Sequence, residues 1–253
     1  MRKPFGQHFL FDPNILKKII ACGGVTREDT VVEIWPGLGT LTKLLSFYAK
    51  RIIAIEIDKR LIEKLEGILS PCSNVEVIQA DALKFPYDTI EGNFKVVANI
   101  PYYITTPLFF RLLEFREKIT GMTLLMQKEV AKRIAASHGG KDYGVLSISS
   151  QFYTKPELKF TVSRKAFVPP PKVDSAVVNF QVNPPPHYNA GNEKLFFDIV
   201  KTAFSQRRKT ILNSLRKFEG IEGALSCCGI DPKQRPETLS IEDFIRLTNS
   251  FIK

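Results

Sequence analysis

The chain has 253 residues, of which 44% are hydrophobic, and its formal net charge is +10. This length and apolar content are sufficient for one large domain, or for one domain with a smaller annex. No uninterrupted apolar run approaches the roughly 20 residues that span a bilayer. Asp12 and Pro13 interrupt the first apolar stretch, which is unlike a signal peptide, so we expect a cytoplasmic protein.

The cysteines and the positive charge limit the kinds of site and partner that the chain can have. Cys22, Cys72, Cys227 and Cys228 form no CxxC pair and lie apart in sequence from the three histidines, so we expect neither a metal site nor a disulfide framework. An excess of lysine and arginine favours a polyanionic partner such as a nucleic acid, because neutralised phosphates release counterions. The same excess serves solubility in many proteins, so charge alone does not identify the partner.

Five short apolar segments in the first two-thirds of the chain predict buried parallel strands. They are rich in β-branched residues and comprise residues 31–35, 51–57, 75–79, 94–99 and 122–126. Between them, apolar residues recur at helical spacing, as expected of the crossover helices of an open sheet. The alternation therefore predicts an α/β fold with a mostly parallel sheet.

The later part of the chain has a different pattern. Two further segments, residues 145–153 and 174–182, predict strands with no helix between them, and hence an antiparallel hairpin at the sheet edge. Pro184, Pro185 and Pro186 follow, and the pattern beyond them is helical. We therefore predict two domains, residues 1–186 and a helical domain of residues 187–253.

The segment EIWPGLGTLT, residues 33–42, joins the first predicted strand to the first helix and has Gly37 and Gly39 in its turn. Glycines there let the backbone approach a ligand, and the free N–H groups of the following helix favour polar or anionic groups. The third glycine of the dinucleotide-binding fingerprint is absent. A G-x-G pattern alone is also typical of a tight turn that binds nothing.

Acidic residues end the next two predicted strands. Glu56 stands about 20 residues after the glycine turn, where a carboxylate can accept hydrogen bonds from both ribose hydroxyls of a nucleoside-containing cofactor. Asp81 follows the third strand and is placed to accept from an adenine amine. Each acid alone is more simply a solvated charge, whereas the pair at successive strand ends favours a binding site.

The segment Asn99-Ile100-Pro101-Tyr102 directly follows the fourth predicted strand. An adenine amine is a poor nucleophile because its lone pair is delocalised into the ring, so a catalyst must hold the nitrogen while the pair turns toward an electrophile. The Asn99 side-chain carbonyl and the backbone carbonyl of Ile100 or Pro101 can each accept an N–H bond, while Tyr102 stacks on the base. This position after a buried strand favours catalysis over a simple β-turn.

With these segments in place, the sequence resembles the ribosomal RNA adenine dimethyltransferases over nearly its whole length. That family includes the bacterial small-subunit enzyme, its eukaryotic counterpart and the erythromycin-resistance methylases. The matching segments are GQHFLFDPNIL, EIxPGLGTLT, AIEID, QADAL, NIPYYITTPLFF, MQKEVAKRI, FVPPPKVDSAVV, FSQRRKTILNSL and RPETLS. The resemblance implies S-adenosylmethionine as cofactor and a Rossmann-like methyltransferase sheet, mostly parallel with an antiparallel edge hairpin, followed by a small C-terminal helical domain.

The resemblance also implies roles for individual residues. Tyr102 would pack against one face of the target adenine and Phe167 against the other, a clamp for a base taken out of its stack, with Pro101 in the same catalytic segment. Without the family, Phe167 would be interpreted as an ordinary core aromatic. Cofactor contacts are expected from the N-terminal arm, the glycine turn and the strand ends, namely Gln7, His8, Leu10, Trp35, Gly37, Gly39, Glu56, Asp81 and Asn99.

A basic stretch, residues 201–217, has Arg207, Arg208 and Lys209 at its centre and apolar residues at helical spacing. Its charged face suits a phosphate backbone, although such a run is also typical of a solvated helix. Given the helical rRNA-binding annex of the family, we expect these three residues to contact RNA.

Trp35 is the main departure from the family, whose members nearly always have glycine at this position beside the cofactor. An indole adds a Cβ and a large ring at a point of close backbone approach, which predicts a clash or a forced backbone conformation. We expect Trp35 to weaken S-adenosylmethionine binding while the fold stays intact. A milder departure is His8, where many relatives carry asparagine, since either side chain can donate a hydrogen bond.

The function implied by the resemblance is dimethylation of two adjacent adenosines near the 3′ end of small-subunit (16S) rRNA in a pre-ribosomal particle, by a monomer. A non-catalytic RNA-binding assembly factor is the alternative that Trp35 favours. A nicotinamide-dependent dehydrogenase explains the glycine turn and Glu56 but not the Asn99 segment. A resistance methylase acting on large-subunit rRNA fits the segments QKEVAKRI and RPETLS less well.

Overall fold

The computed structural model describes residues 8–182, 188–206 and 208–252. Gln7, Arg207 and the three prolines at 184–186 lie outside the described residues. The chain divides into two compact units, the first comprising Met1–Ala131 and Pro156–Val182, the second Lys132–Lys155 and Asn183–Lys253. No helix within the described ranges is long and apolar enough to cross a membrane.

The main elements of the described residues, in chain order, are β1 (Phe9–Leu10), α1 (Pro13–Cys22), β2 (Thr30–Ile34), α2 (Thr40–Leu45), β3 (Arg51–Glu56), α3 (Lys59–Leu69), β4 (Val75–Gln79), β5 (Phe94–Asn99), α4 (Thr105–Leu113), β6 (Ile119–Gln127), α5 (Lys128–Ile134), α6 (Val145–Tyr153), β7 (Thr154–Val162), β8 (Phe167–Val168), β9 (Ser175–Val182), α7 (Glu193–Ala203), α8 (Ile211–Ser214), α9 (Ile221–Cys227) and α10 (Ile241–Asn249).

The first unit contains a seven-stranded sheet in the order β4-β3-β2-β5-β6-β9-β7. β2 pairs in parallel with both β3 and β5, β3 with β4, and β5 with β6. β9 runs antiparallel to β6, and β7 lies beyond it at the edge. The sheet confirms the predicted α/β class, with five parallel strands and an antiparallel strand toward one edge.

The parallel strands form where both faces are covered by apolar neighbours. In β2, for example, Val31, Val32 and Ile34 are all fully buried, which is typical of the central strand of an α/β sheet. Two of the helices beside the sheet begin at acidic caps: the Asp12 carboxylate accepts from the N–H groups that open α1, and Asp58 accepts from an N–H group that opens α3. The Asp58 cap begins a helix directly after β3.

The predicted strand over residues 145–153 is wrong, because this segment is the helix α6. Its residues are buried from Leu146 to Ser150 and again at Phe152, so this helix is enclosed on nearly all sides and shows no single apolar face. The intervening serines are buried as well, and the Ser150 hydroxyl donates to the carbonyls of Ile134 and Ser147, which satisfies it inside a helix. The strand that lies beside β9 in the seven-stranded sheet is β7, which begins nine residues later in the chain than the predicted strand.

The second unit is built from helices around an aromatic core. Phe152, Phe196 and Phe244 are fully buried, and the rings of Phe152 and Phe196 lie 4.8 Å apart. The C-terminal segment of this unit begins at Asn183, whereas the predicted boundary is at 186, and the unit also takes in residues 132–155, which the sequence placed in the first domain.

The basic stretch 201–217 is not one continuous helix. α7 ends at Ala203, and α8 begins only after Thr210, whose hydroxyl accepts from the N–H of Asn213 as an N-cap. Turn hydrogen bonds occupy the residues between, as where Lys209 N–H donates to the carbonyl of Gln206. Ser and Thr side chains favour such caps over helix interiors, which explains the break.

The strand order places the ends of β2, β3 and β5 together. β2 lies between β3 and β5. From β2 to β4 the strands are added on one side of β2, and from β5 onward they are added on the other side, so the strand order reverses at β2. In open α/β sheets, ligands bind at the carboxyl ends of strands at such a switch point. The residues that follow β2 and β5 are therefore the first place to look for a site.

Candidate active site

A cavity that is open to solvent lies at the carboxyl ends of β2 and β5. Four segments distant in sequence line it: the N-terminal arm, the turn after β2, the turn after β5, and β8. The lining residues include His8, Leu10, Glu33, Trp35, Gly37, Asn99, Ile100, Pro101, Tyr102 and Phe167. Most of the residues predicted from the sequence therefore meet at one place.

Pairing between β1 and β8 closes one wall of the cavity. Phe9 pairs with Val168 and Leu10 with Phe167 in an antiparallel register. His8 Nδ1 donates to the carbonyl of Pro169 over 2.7 Å, which extends the same contact by one residue. Segments about 160 residues apart in the chain are thus held side by side.

The N-terminal arm also orients Asn99. The side-chain Nδ2 of Asn99 donates to the backbone carbonyl of His8 over 3.1 Å. Because the amide nitrogen is used in this way, the Oδ1 atom is the acceptor that Asn99 can offer to an incoming amine. The predicted acceptor is therefore held in orientation by the arm.

The turn after β5 distinguishes the two backbone acceptors considered from the sequence. The Pro101 carbonyl already accepts from the N–H of Ile104 at 3.1 Å and from the Thr105 hydroxyl at 3.4 Å. The Ile100 N–H is fixed by the carbonyl of Leu125 at 3.0 Å, which pins the peptide at the end of the strand. A carbonyl has two lone pairs, and both are occupied at Pro101, so the geometry favours Ile100 over Pro101 as the second acceptor.

Tyr102 is positioned from the neighbouring strand β9. Its hydroxyl lies 2.7 Å from Ser175 Oγ, and its ring centroid is 5.8 Å from that of His8. Burial raises the pKa of the phenol, an effect that the Ser175 hydrogen bond offsets only in part, so the ring is neutral at physiological pH. Tyr102 therefore offers a fixed aromatic surface, and Phe167, buried in the same cavity, offers another.

The turn after β2 depends on its glycines. Gly37 and Gly39 have φ of 61° and 73°, in the left-handed region that favours glycine. A Cβ on Gly37 would also come within 2.8 Å of the Phe9 ring, so both conformation and space require glycine there. The Gly37 N–H points at Glu56 and donates to its Oε2 over 3.2 Å.

Glu56 and Asp81 lie at adjacent strand ends, as predicted, but neither lines the open cavity among the described residues. Glu56 is fully buried, and its Oε1 accepts from the N–H groups of Ile57 and Asp58 at 3.0 and 2.9 Å. Desolvation raises the pKa of Glu56. The hydrogen bonds from these backbone donors lower the pKa, but they offset the rise only in part. Asp81 is half-buried, and its Oδ1 accepts from the N–H of Leu83.

Glu33 is a site residue that the sequence reasoning did not single out. It lies within β2, is 2% exposed, and lines the cavity, and burial raises its pKa to about 8, with the Thr42 hydroxyl offsetting part of the rise. The signal was a carboxylate within the apolar run VVEI, since an acid in a fully buried strand is rarely structural.

Trp35 has the forced backbone conformation that was expected. Its φ is 60°, and among the described residues no other non-glycine residue has a positive φ. The side chain is 7% exposed and packs edge-on against Tyr103, with ring centroids 6.0 Å apart. The indole therefore belongs to the residue that directly follows β2, two positions before Gly37.

The basic residues proposed for RNA lie in the second unit. Arg208 and Lys209 are exposed in the loop before α8, where they can reach a phosphate backbone. Arg207 lies outside the described residues.

The sheet, its switch point and the chemistry at the ends of β2, β3 and β5 define the class of the protein, an S-adenosylmethionine-dependent methyltransferase with a Rossmann-like fold. The family described as "Ribosomal RNA adenine dimethylase" matches residues 1–253. The chain belongs to this family and is an rRNA adenine dimethyltransferase.

Similar proteins agree with this assignment. The chain is 44% identical, over 99% of its length and 91% of the relative, to "Ribosomal RNA small subunit methyltransferase A" of Bacillus mycoides (strain KBAB4). A dimethyladenosine transferase from Plasmodium falciparum superposes with a TM-score of 0.81 at 30% identity, covering 96% of this chain and 97% of that one. The 23S rRNA methyltransferase ErmE superposes with a TM-score of 0.78 at 27% identity, covering 97% of this chain and 100% of that one.

The residues present fit the cofactor chemically but only partly in space. Carboxylates at successive strand ends and left-handed glycines suit a nucleoside and a charged amino-acid tail. The cavity is open beside Glu33 and Asn99, whereas Glu56 is fully buried. Of the two acids that would receive the nucleoside, Glu56 is therefore covered in this conformation and Asp81 is half-buried.

Proposed function

We propose that the chain dimethylates the N6 amines of two adjacent adenosines near the 3′ end of small-subunit rRNA, during ribosome biogenesis. The relatives that are 44% identical carry the small-subunit name over almost the whole chain, which supports this choice of rRNA. We further propose that the protein acts in the cytoplasm as a monomer, on a pre-ribosomal particle.

The observation that carries the proposal is the pair of acceptors after β5. Asn99 Oδ1 is turned away from the bond that Nδ2 makes to His8, and the Ile100 carbonyl lies one residue beyond it. Two N–H groups of one amine can donate to these two oxygens, which turns the nitrogen lone pair away from the ring. No strong base is needed, because the proton becomes acidic only after the methyl group has arrived.

Aromatic residues hold the base. Tyr102, fixed by Ser175, packs on one face of the adenine, and Phe167, fixed by β1, packs on the other. Stacking between aromatic surfaces holds a base that has left its own stack. We call His8, Asn99, Ile100, Tyr102 and Phe167 the base half of the site.

Bound S-adenosylmethionine would supply an electrophilic methyl group. Glu56 and Asp81 would accept from its ribose and adenine, the glycine turn would pass beside it, and Glu33 would face its ammonium group. Of the remaining residues predicted to contact it, His8, Leu10 and Asn99 line the same cavity, and Gln7 precedes His8 in the arm. We call Glu33, Trp35, Gly37, Glu56 and Asp81 the cofactor half of the site.

The helical unit would bind rRNA. Arg208 and Lys209 are exposed, and with Arg207 they would contact phosphates rather than bases. Such contacts position the substrate without selecting its sequence.

Transfer of labelled methyl groups to purified ribosomal subunits tests the proposal. Small subunits that lack the modification should accept label as N6,N6-dimethyladenosine, and large subunits should not. Label in large subunits alone would indicate a resistance-type methylase instead.

A second candidate function is favoured by Trp35, whose strained backbone and buried indole lie within the cofactor half. A non-catalytic assembly factor with the same fold would bind immature small subunits and incorporate no label at any cofactor concentration. Stable binding without incorporation would support this second function.

A further inference from the structure

Trp35 occupies a position that separates the two halves of the site. It lines the open cavity together with Glu33 and Asn99, while Glu56 and Asp81 do not. The backbone beneath it is tied down, because Trp35 N–H donates to the carbonyl of Ile55 over 2.9 Å at the end of β3. Rotation about the side-chain bonds of Trp35 would move the indole without breaking this hydrogen bond.

Tyr103 completes the cover on the outside. Its ring stands edge-on to the indole at 6.0 Å and is 58% exposed, whereas the indole is 7% exposed. Burial raises the pKa of the Tyr103 phenol, and the charges of Asp81 and Glu56 add to the rise. The backbone on the far side of the indole contacts the end of β3, where Gly37 N–H donates to Glu56 itself, so the aromatic pair lies beside an acid that would receive a nucleoside.

Glu56 shows the consequence of this cover. Three backbone N–H groups, from Gly37, Ile57 and Asp58, fill three of its roughly four acceptor positions, and no part of it is exposed. A ribose hydroxyl needs both the remaining acceptor and an approach to it. The acceptor is present, and the approach is closed.

We propose that the Trp35–Tyr103 pair is a cover over the nucleoside side of the cofactor half, and that S-adenosylmethionine binds only after the indole turns out of its buried position. This inference rests on the proposed roles of Glu56 and Asp81. The base half lies on the open side of the cover, so a flipped adenine reaches Asn99 and Tyr102 whether the cover is open or closed.

Trp35 is the only tryptophan of the chain, so its fluorescence reports on the cover directly. We would titrate the chain with S-adenosylhomocysteine and follow both emission and binding heat. Binding should shift the emission to longer wavelength as the indole becomes hydrated. An unchanged emission during binding would show that the indole stays in place, and would overturn the proposal.

Calorimetry on Trp35→Gly provides the second measurement. The variant should bind S-adenosylhomocysteine at least about tenfold more tightly, because burial of a large aromatic side chain is worth more than one factor of ten in an equilibrium constant. Tyr103→Ala should tighten binding in the same direction with Trp35 retained, which keeps the test valid if the glycine variant fails to fold. Phe47→Ala, which removes another exposed aromatic ring, should change nothing.

The outcomes separate this inference from the proposed function. Equal affinities of the chain and the variants would overturn the cover while leaving methyl transfer intact. An absence of binding by all of them would overturn both the cover and the use of the cofactor.

Discussion

The base half and the cofactor half of the site differ in how they are built. In the base half, each functional side chain has a partner from another segment: Asn99 is held by His8, Tyr102 by Ser175, and Phe167 by its pairing with Leu10. The cofactor half holds a strained Trp35, a carboxyl group with a strongly raised pKa at Glu33, and a sealed Glu56.

This difference teaches that two parts of one site can depart from the family pattern to different extents while the fold stays the same. We propose that the base half needs little ordering when its substrate binds, because its side chains are already held by other segments. In the same proposal, the cofactor half has to rearrange before it binds. Changes in the two halves should therefore affect different measured quantities, and the following predictions run from the largest expected effect to the smallest.

The buried carboxyl of Glu33 should make stability depend on pH. Its pKa is raised from 4.5 to about 8 in the folded chain, so the protonated form is favoured on folding. The stabilisation is present in full below pH 4.5 and is lost as the pH rises through about 8. A shift of this size corresponds to about 5 kcal/mol.

The check is chemical denaturation of the chain and of Glu33→Gln from pH 4 to pH 9. The variant should gain stability relative to the original chain as the pH rises. A constant difference between the two across this range would show that Glu33 titrates normally, and the contrast between the halves would lose one of its supports.

Asn99→Ala should abolish most of the turnover. Loss of one acceptor that is used in the transition state costs on the order of 100-fold to 1000-fold in kcat. Affinity for S-adenosylhomocysteine should fall much less, because the other cofactor contacts remain. Methyl-transfer kinetics and calorimetry measure the two quantities, and Asn189→Ala, a change in an exposed asparagine of the second unit, is the matched control.

Phe167→Ala should weaken use of the RNA rather than of the cofactor. One aromatic stack on a base is worth about 1–3 kcal/mol, so KM for rRNA should rise between about fivefold and 150-fold. Phe167→Tyr should retain the stack and restore KM. If instead KM for the cofactor rises and that for RNA does not, Phe167 belongs to the other half.

Ser175→Ala should have the smallest effect. It removes the hydrogen bond that fixes the Tyr102 ring, which is worth about 1 kcal/mol, or roughly fivefold in kcat/KM for rRNA. Tyr102→Phe removes the same bond from the other side. In a double-mutant cycle the second change should add nothing, and full additivity would mean that the two hydroxyls do not cooperate.

Much of this site could be predicted from sequence, because strand ends are visible in the sequence. The apolar run that ends at Asn99 placed the amide at the sheet edge, and the missing glycine predicted the strained backbone of Trp35. The contact of His8 with Pro169 could not be predicted from local pattern, since it joins residues 161 apart. The choice of Ile100 over Pro101 depended on turn hydrogen bonds that only coordinates show.

The helix α6 was missed for a related reason. A short apolar run with interspersed serines fits a strand or a buried helix equally well, and periodicity alone does not separate the two. In the structure, the serine hydroxyls are satisfied inside a helix, because Ser147 donates to the carbonyl of Arg133 and Ser150 to that of Ile134. Those partners come from tertiary structure and have no local signal.

The most direct test of the central claim is transfer of labelled methyl groups to unmodified small subunits, by the chain and by Trp35→Gly, over a range of S-adenosylmethionine concentrations. We predict N6,N6-dimethyladenosine from both proteins, a similar kcat at saturation, and a KM for the cofactor at least about tenfold lower for the glycine variant. Equal KM values would contradict the division of the site into a complete half and a covered half, and an absence of product from both proteins would contradict the methyltransferase function itself.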